Sequence, residues 1–227
     1  MPVRDIIRPI PGIRQLSLLR QRLDFTGSAD FWERRYARGG TSGAGSYGAL
    51  AHGKADFLNA FVRSNSVQSV IEFGCGDGNQ LSLAKYPSYV GLDVSRSALG
   101  LCKRRFVDDP SKSFFFYDSS CFVDRAGLFK ADLALSLDVI YHLIEDQIFE
   151  QYMTHLFGAS NRYAIVYATN ETIPTHAPHV RHRRFSSWVD KNGPQWRLKE
   201  VADGPGEGPR RADFFVYERV DELEGCT

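Results

Sequence analysis

A glycine-rich turn follows a short apolar run in the segment VIEFGCGDGNQ, from Val70 to Gln80. Its glycines are Gly74, Gly76 and Gly78. Glycines after a strand often only form a tight turn, but they also let the backbone approach a phosphate or nucleoside closely. A dinucleotide-binding turn, G-x-G-x-x-G, requires glycine at position 79. Asn79 stands there instead, so the spacing disfavours a nicotinamide dinucleotide.

Carboxylates follow the next two strand candidates at the positions that a nucleoside ligand needs. Asp93, in GLDVS, lies nineteen positions after Gly74, close to the offset at which an acidic residue accepts from ribose hydroxyls. Asp118, in FYDSS, is placed to accept from an adenine amino group. Taken alone, Asp93 equally fits an acid at a helix N-terminus. The ordered combination of the glycines and the two carboxylates favours a nucleoside site.

Short strand patterns alternate with helical patterns from residue 67 onward, which predicts βαβ units and a parallel sheet. The strand candidates are VQSVIEF, YVGLD, SFFFY, ADLALSL and RYAIVYA, and the helical patterns include NQLSLAK, RSALGLCKRRF and EDQIFEQYMTHLF. Two last strands, QWRLKEV and DFFVYERV, are joined by a linker too short for a crossover helix. They are therefore expected to form an antiparallel hairpin.

The E-x-G-x-G-x-G pattern together with Asp93, Asp118 and the segment LSLDVIYHL resembles class I S-adenosylmethionine (SAM)-dependent methyltransferases. The resemblance covers about residues 67 to 168. It implies an α/β, Rossmann-like fold: a mostly parallel seven-stranded sheet with an antiparallel C-terminal strand and helices on both faces. It implies SAM as cofactor, with S-adenosylhomocysteine (SAH) as product. The expected cofactor-binding residues are Ser46, Tyr47, Glu72, Gly74, Cys75, Gly76, Asn79, Gln80, Asp93, Val94, Asp118, Ser119 and Leu137.

A histidine is the first candidate for the general base of an O-methylation, because its ordinary pKa lies near neutrality. His142 follows the fourth strand by a few residues, on the side where the methyl group is expected. The structural alternative is a histidine that packs at the start of the helix near Glu145. Asp138 is expected to touch the cofactor or orient the site, and Tyr141 to line the acceptor pocket.

A polar and aromatic cluster in APHVRHRRF and the segment after it supplies the acceptor candidates, His179, Arg181, His182 and Trp188. Planar donors with aromatic surfaces suit a sugar. The alternatives are a solvated basic face or a metal site, although no carboxylate accompanies the two histidines locally. A divalent metal therefore remains possible but is not predicted.

Two segments precede the sheet. The first thirty residues, with a short amphipathic run from Ile13 to Leu23, are interpreted as a cover. The run ADFWERRYAR that follows is predicted to be helical. GGTSGAGSYG, residues 39–48, is interpreted as a glycine-rich lid over the cofactor, although a plain linker fits as well. We therefore expect an N-terminal cover and lid in residues 1–48 and a SAM-binding domain in residues 49–227.

A closer resemblance rests on FWERRYARGGTSGAGSYG, VIEFGCGDGNQ, SLDVIYHLIED and HVRHRRF. These motifs are similar to the sugar O-methyltransferases of bacterial glycan assembly, such as those acting on mycobacterial methylmannose polysaccharide precursors. What the resemblance implies is O-methylation of a sugar hydroxyl, with His142 as base. The alternatives are a methyltransferase of a small aromatic or amine metabolite, a non-catalytic cofactor-binding protein and an NAD-linked oxidoreductase.

The amino-acid composition indicates which classes of binding partner to expect. Lys and Arg total 28 against 27 for Asp and Glu, a formal net charge of +1, which disfavours nucleic acid as a partner. The composition is 43% hydrophobic and 24% charged, and there is no apolar run of membrane-spanning length, so we expect a soluble protein that does not bind membranes. The four cysteines fit neither a zinc site nor disulfides, so we expect a cytoplasmic protein. Monomer and homodimer both remain open.

Overall fold

A seven-stranded sheet forms the centre of the protein in the computed structural model, which describes residues 25–208 and 211–220. The strands are β1 (Ser69–Phe73), β2 (Ser88–Asp93), β3 (Lys112–Phe116), β4 (Ala131–Leu137), β5 (Ser160–Ala168), β6 (Trp196–Ala202) and β7 (Asp213–Arg219). The helices are α1 (Ser28–Ala37), α2 (Gly48–Ser64), α3 (Arg96–Arg105), α4 (Asp146–Gly158) and α5 (Ser186–Asn192). The amphipathic run from Ile13 to Leu23, and most of the N-terminal cover, lie outside the described residues.

The strand order is β3-β2-β1-β4-β5-β7-β6. β1 to β5 run parallel, whereas β7 lies antiparallel between β5 and β6. The expected mostly parallel sheet and its antiparallel C-terminal hairpin are therefore confirmed. The order reverses between β1 and β4, and in open α/β sheets a ligand binds beyond the carboxyl ends of the strands at this switch point.

Helices cover both faces of the sheet because the central strands are apolar on both sides. On one face, Phe73 of β1 packs with Met153 and Leu156 of α4. On the other, Leu58 of α2 packs with Leu133 of β4. Both core clusters reach the carboxyl ends of β1 and β4, so the residues that follow these strands are held on a rigid support.

The segment NQLSLAK does not form the expected helix, and that prediction is wrong. Only a short 3₁₀ turn, Leu81–Leu83, is present. Fourteen residues, 74–87, join β1 to β2, and the glycine turn takes the first of them. Pro87 disfavours helical backbone at the residue before it. Because no α-helix follows the glycine turn, the turn lacks the free N–H groups that the N-terminus of such a helix would offer.

None of the helices within residues 25–208 and 211–220 is long and apolar enough to span a bilayer.

Removing a core side chain beneath the switch point should destabilise the whole fold. Leu133 is 0% exposed in the central strand β4, so Leu133→Ala leaves a cavity and should lower the free energy of unfolding by about 3 kcal/mol. The matched control, Leu128→Ala, removes the same atoms from a side chain that is 79% exposed. It should change the free energy by less than about 0.5 kcal/mol. Urea unfolding followed by circular dichroism measures both, and equal losses would contradict the assignment of this core.

Candidate active site

One large cavity opens at the switch point of the sheet, with an empty volume of about 1200 Å³ including its open mouth. The residues after four parallel strands contribute to its wall. Those predicted from the sequence that line it are Ser46, Glu72, Gly74, Cys75, Gly76, Gln80, Asp93, Val94, Asp118, Ser119, Leu137, Asp138 and His142. The cavity therefore collects side chains that are widely separated along the chain.

Two glycines of the turn after β1 have no room for a side chain. Gly74 and Gly76 have φ angles of +87° and +58°, which other residues rarely adopt. A Cβ on Gly74 would lie 2.5 Å from Cγ2 of Val139, and one on Gly76 would collide with Oγ of Ser42. The bare backbone lets the turn pack between the loop after β4 and the glycine-rich loop, so the turn forms a close-fitting cavity wall.

The carboxylates of Glu72 and Asp93 are buried in this wall. Asp93 accepts 2.8 Å hydrogen bonds from the backbone N–H groups of Gly76 and Ser95, and Glu72 accepts a 2.7 Å bond from the hydroxyl of Tyr89. Burial raises the pKa of Glu72 to about 7 and that of Asp93 to about 6. Each carboxylate keeps lone pairs for further donors. A ligand offering hydroxyl or ammonium groups would lower both pKa values by stabilising the charged forms.

Asp118 lies at the rim of the cavity, where it is exposed. Its Oδ1 accepts from the backbone N–H and the hydroxyl of Ser120 at 2.9 and 2.7 Å, and these bonds lower its pKa. The two hydrogen bonds from Ser120 orient the Asp118 carboxylate and favour its ionised form. Ser119, the next residue, also lines the cavity.

The glycine-rich loop of residues 39–48 is fastened to the glycine turn by Asp77, a residue that the sequence analysis did not single out. Oδ2 of Asp77 accepts from the backbone N–H of Ser42 at 2.9 Å and from the hydroxyl of Tyr47 at 2.8 Å. Asn79 donates to the carbonyl of Ser46 at 2.7 Å. Tyr47 and Asn79 thus join the loop to the turn and do not line the cavity.

Helix α1 roofs the cavity, and its Ser28, Ala29, Trp32 and Tyr36 line it. Two carboxylates anchor the helix. Glu33 accepts from the hydroxyls of Ser95 and Ser97 at 2.7 and 2.6 Å. Glu145 accepts from the backbone N–H and the hydroxyl of Ser28 at 2.9 and 2.6 Å. The helix was predicted from the sequence, but none of its residues was assigned to the site.

Lys54 of α2 forms a buried ion pair with Asp138, directly after β4. Nζ of Lys54 lies 2.6 Å from Oδ2 of Asp138, and the hydroxyl of Tyr141 donates to Oδ1 at 2.7 Å. The Lys54 side chain is 1% exposed. Asp138 has a φ of +61°, which is uncommon for a residue with a side chain. Tyr141 does not line the cavity and instead orients this carboxylate.

His142 lines the cavity near Asp138, and its imidazole is oriented by a backbone carbonyl. Nδ1 lies 2.8 Å from the carbonyl oxygen of His179, which can only accept, so Nδ1 carries the proton. Nε2 is therefore the nitrogen with a lone pair. Burial lowers the pKa of His142 to about 4, which keeps the ring neutral at physiological pH. The ring of Trp32 contacts it edge-on, with 4.8 Å between ring centroids.

The four acceptor candidates of the sequence analysis do not line the cavity. Arg181 forms an ion pair with Asp146, and the indole of Trp188 donates to Glu150. His182 bonds through Nδ1 with the hydroxyl of Thr169 at 2.7 Å, and the ring of His179 stacks on Phe31 at 4.3 Å. Among the described residues no group of acidic, histidine or cysteine side chains could hold a metal ion.

Part of the chain is similar in sequence to a curated methyltransferase, although no family model matches the chain. The small RNA 2′-O-methyltransferase of Arabidopsis thaliana is 29% identical over 112 residues, which covers 44% of this chain and 12% of that protein. The chain therefore spans only about an eighth of the length of this curated relative.

Solved structures match over more of the chain. The N-methyltransferase NodS of Bradyrhizobium japonicum WM9, in complex with SAH, has a TM-score of 0.67 at 15% identity, covering 86% of this chain and all of that one. The methyltransferase domain of bacterial CtHen1-C has a TM-score of 0.58 at 22% identity, covering 75% and 98%. The magnesium protoporphyrin IX methyltransferase of Synechocystis PCC 6803 with bound SAH has a TM-score of 0.58 at 17% identity, covering 90% and 100%.

The protein has the class I SAM-dependent methyltransferase fold, as the sequence predicted. Among these neighbours, NodS and the magnesium protoporphyrin IX methyltransferase were crystallised with SAM or SAH.

The buried ion pair between Lys54 and Asp138 should contribute to the stability of the fold. Lys54→Met leaves the carboxylate of Asp138 without its cation and should lower the free energy of unfolding by about 3 kcal/mol. The double variant Lys54→Met with Asp138→Asn removes both charges and should recover at least about 1 kcal/mol of that loss. Urea unfolding of the wild type, the two single variants and the double variant completes the cycle. Additive losses would contradict a direct ion pair.

The protonation of His142 is a second testable feature. Because its pKa is lowered to about 4, the ring should remain neutral from pH 8 down to about pH 5 and accept a proton only below that. Nitrogen-15 chemical shifts of labelled imidazoles report both the charge and the tautomer. We expect the Nδ1–H tautomer throughout this range, assigned by comparison with His142→Asn. A titration midpoint between pH 6 and 7, or the Nε2–H tautomer, would contradict this geometry.

Proposed function

We propose that this protein is a SAM-dependent O-methyltransferase that acts on a sugar hydroxyl, with His142 as general base. The observation that carries the proposal is the orientation of His142. The carbonyl of His179 holds the Nδ1–H, so Nε2 is the ring nitrogen left for an acceptor hydroxyl. In this proposal the segment before residue 49 acts as cover and lid, and the rest as the SAM-binding domain.

The hydrogen-bond acceptors of the cavity suit the hydroxyl and amino groups of SAM. Buried Asp93 suits the two ribose hydroxyls, since it can accept two bonds beyond those from Gly76 and Ser95. Asp118 at the rim suits the adenine amino group. Glu72 faces the cavity at the other end of the glycine turn and suits the ammonium group of the methionine moiety. The bare backbone of the turn leaves space for close approach.

Methylation of a hydroxyl requires that the acceptor oxygen be aligned with the methyl group and that one group accept the hydroxyl proton. When bound, SAM supplies a methyl group on a positively charged sulfur that leaves as a neutral thioether. The acceptor oxygen forms the new bond to that methyl carbon, and His142 takes the hydroxyl proton on Nε2. The carbonyl of His179 stabilises the resulting imidazolium through Nδ1–H. The ion pair with Lys54 holds Asp138, and thereby the turn that carries His142, at the end of β4.

Two features support a sugar as acceptor. Trp32 and Tyr36 offer aromatic surfaces in the cavity roof, and Trp32 contacts the proposed base directly. Sugars pack their C–H faces against such rings while their hydroxyls bond to polar groups. The sequence resemblance favours a mannoside or an oligosaccharide precursor of a methylated polysaccharide. Arg181, His182 and Trp188 are engaged elsewhere, so the proposed sugar contacts move to the roof helix.

The curated relative favours a second acceptor. Its name describes methylation of the 2′ oxygen in small RNA, which is also a sugar hydroxyl. The same base and cofactor cavity would serve this reaction. A nearly balanced net charge speaks against a large RNA surface, but not against recognition of a single terminal nucleotide.

Replacing the base tests the proposed reaction. His142→Ala should lower kcat by about 100-fold or more, because general-base catalysis contributes about 10² to 10⁴ in rate. The affinity for SAH, measured by calorimetry, should change less than about twofold. Methyl transfer is followed with radiolabelled SAM and a panel of acceptors: mannosides, a short single-stranded RNA and an aromatic amine.

The matched control for this experiment is His52→Ala, since His52 is exposed on α2 away from the cavity. It should keep the wild-type kcat. If His142→Ala retains activity within a few-fold, His142 is not the base. If the wild type binds NAD and not SAH, the methyltransferase proposal fails altogether.

A further inference from the structure

Arg35 lies on the roof helix, and its side chain is held in one position. Its Nε donates to the carbonyl of Thr41 at 2.6 Å, which fastens the guanidinium to the turn after α1. A Cβ on Gly40 would lie 2.8 Å from Cγ of Arg35, so the glycine leaves room for the aliphatic part of the side chain. The guanidinium is thus positioned before any ligand arrives.

The terminal nitrogens of Arg35 have no carboxylate partner among the described residues. Other arginines near this end of the molecule form ion pairs, Arg34 with Asp30 and both Arg181 and Arg183 with Asp146. The only side-chain hydrogen bond of Arg35 within residues 25–208 and 211–220 uses Nε. Within the described part of the chain, Nη1 and Nη2 make no such bond, and a guanidinium presents them as a planar fork that binds oxyanions with two parallel hydrogen bonds.

The guanidinium is near the proposed base. Its central carbon lies 5.6 Å from the ring centroid of Trp32, and the same indole contacts the imidazole of His142. Burial lowers the pKa of His179, and the positive charge of Arg35 lowers it further. Arg35 is half-buried and does not itself line the cavity, but the indole of Trp32 beside it does. The indole of Trp32 therefore contacts both the guanidinium of Arg35 and the imidazole of His142, the proposed base.

We propose that Arg35 binds a phosphate group of the acceptor, and that the substrate is a phosphorylated sugar whose methylated hydroxyl lies near that phosphate. This inference rests on the proposed function and narrows its substrate class. Arg35 and His142 both contact the indole of Trp32, so in this proposal the sugar lies beside Trp32 with its hydroxyl toward His142 and its phosphate toward Arg35. The phosphate belongs either to a small sugar phosphate or to the terminal nucleotide of an RNA.

Inorganic phosphate is the first probe, because its binding requires neither catalysis nor the correct sugar. It is titrated into the full chain, with and without SAH, while the indole N–H of Trp32 is followed by NMR. We expect a saturable shift in the wild type and at least about tenfold weaker binding in Arg35→Gln. The matched control Arg38→Gln removes an exposed arginine three residues further on and should bind like the wild type. No saturable shift in the wild type, or equal binding by Arg35→Gln, overturns the proposal.

Paired acceptors then identify the source of the phosphate. Mannose 6-phosphate is compared with mannose, and a short 5′-labelled RNA is compared with the sugars that it contains. Each compound is tested as a competitor for the phosphate site and as a methyl acceptor. Competition by mannose 6-phosphate alone assigns a sugar phosphate, and competition by the RNA alone assigns a terminal nucleotide. If phosphate binds at Arg35 but SAH does not bind, the proposed function fails and the anion site stands. If SAH binds and mannose is methylated as well as mannose 6-phosphate, the function stands and the phosphate proposal fails.

Discussion

The ammonium group of Lys54 is the buried positive charge around which the acidic side of the cavity is arranged. It lies 2.6 Å from Asp138, and it offsets part of the burial that raises the pKa of Glu72. A lysine that is almost fully buried costs free energy unless it is paired and hydrogen-bonded. The pairing therefore fixes helix α2 against the end of β4. The turn that carries His142 begins at Asp138, so the position of the proposed base depends on the same contact.

The roof of the cavity is fastened to the sheet by carboxylates as well. Glu33 holds the middle of α1 to the start of α3, Glu145 holds its first residue, and Asp77 holds the loop that follows it. Each carboxylate accepts bonds from hydroxyls or backbone N–H groups in place of an arginine or lysine. Such bonds are directional, so they set the orientation of the roof as well as its distance. In the resulting orientation of α1, Trp32 lines the cavity and Arg35 lies beside Trp32.

The two halves of the cavity therefore differ in physical character. The half proposed to bind the cofactor is built from strand ends and glycine backbone, which change little because the sheet beneath them is closely packed. The half proposed to bind the acceptor is built from a helix and loops that lie on top of the sheet. An enzyme fold that serves many acceptors can vary the second half without disturbing the first. This division explains why distant structures share the fold, while the proposed acceptor depends on Trp32, Arg35 and His142.

Residue order along the chain was enough to predict the succession of strands and the side chains at their ends. Strand alternation and glycine spacing are local patterns, and parallel strands bring their carboxyl ends to one edge. Glu72, Asp93 and Asp118 could therefore be assigned to the cavity from these patterns alone. The helix predicted from the apolar pattern of NQLSLAK is absent, because the connection between β1 and β2 is short and Pro87 disfavours helical backbone before it. The acceptor candidates His179, Arg181, His182 and Trp188 have residue types that suit a sugar, but their side chains do not line the cavity.

Other features of the site come from packing between distant parts of the chain. Lys54 pairs with Asp138 across 84 residues, and the carbonyl of His179 sets the tautomer of His142. The folding of α1 over the cavity makes Trp32 part of its roof. These contacts depend on how helices and loops pack onto the sheet, and residue spacing along the chain carries no record of that packing.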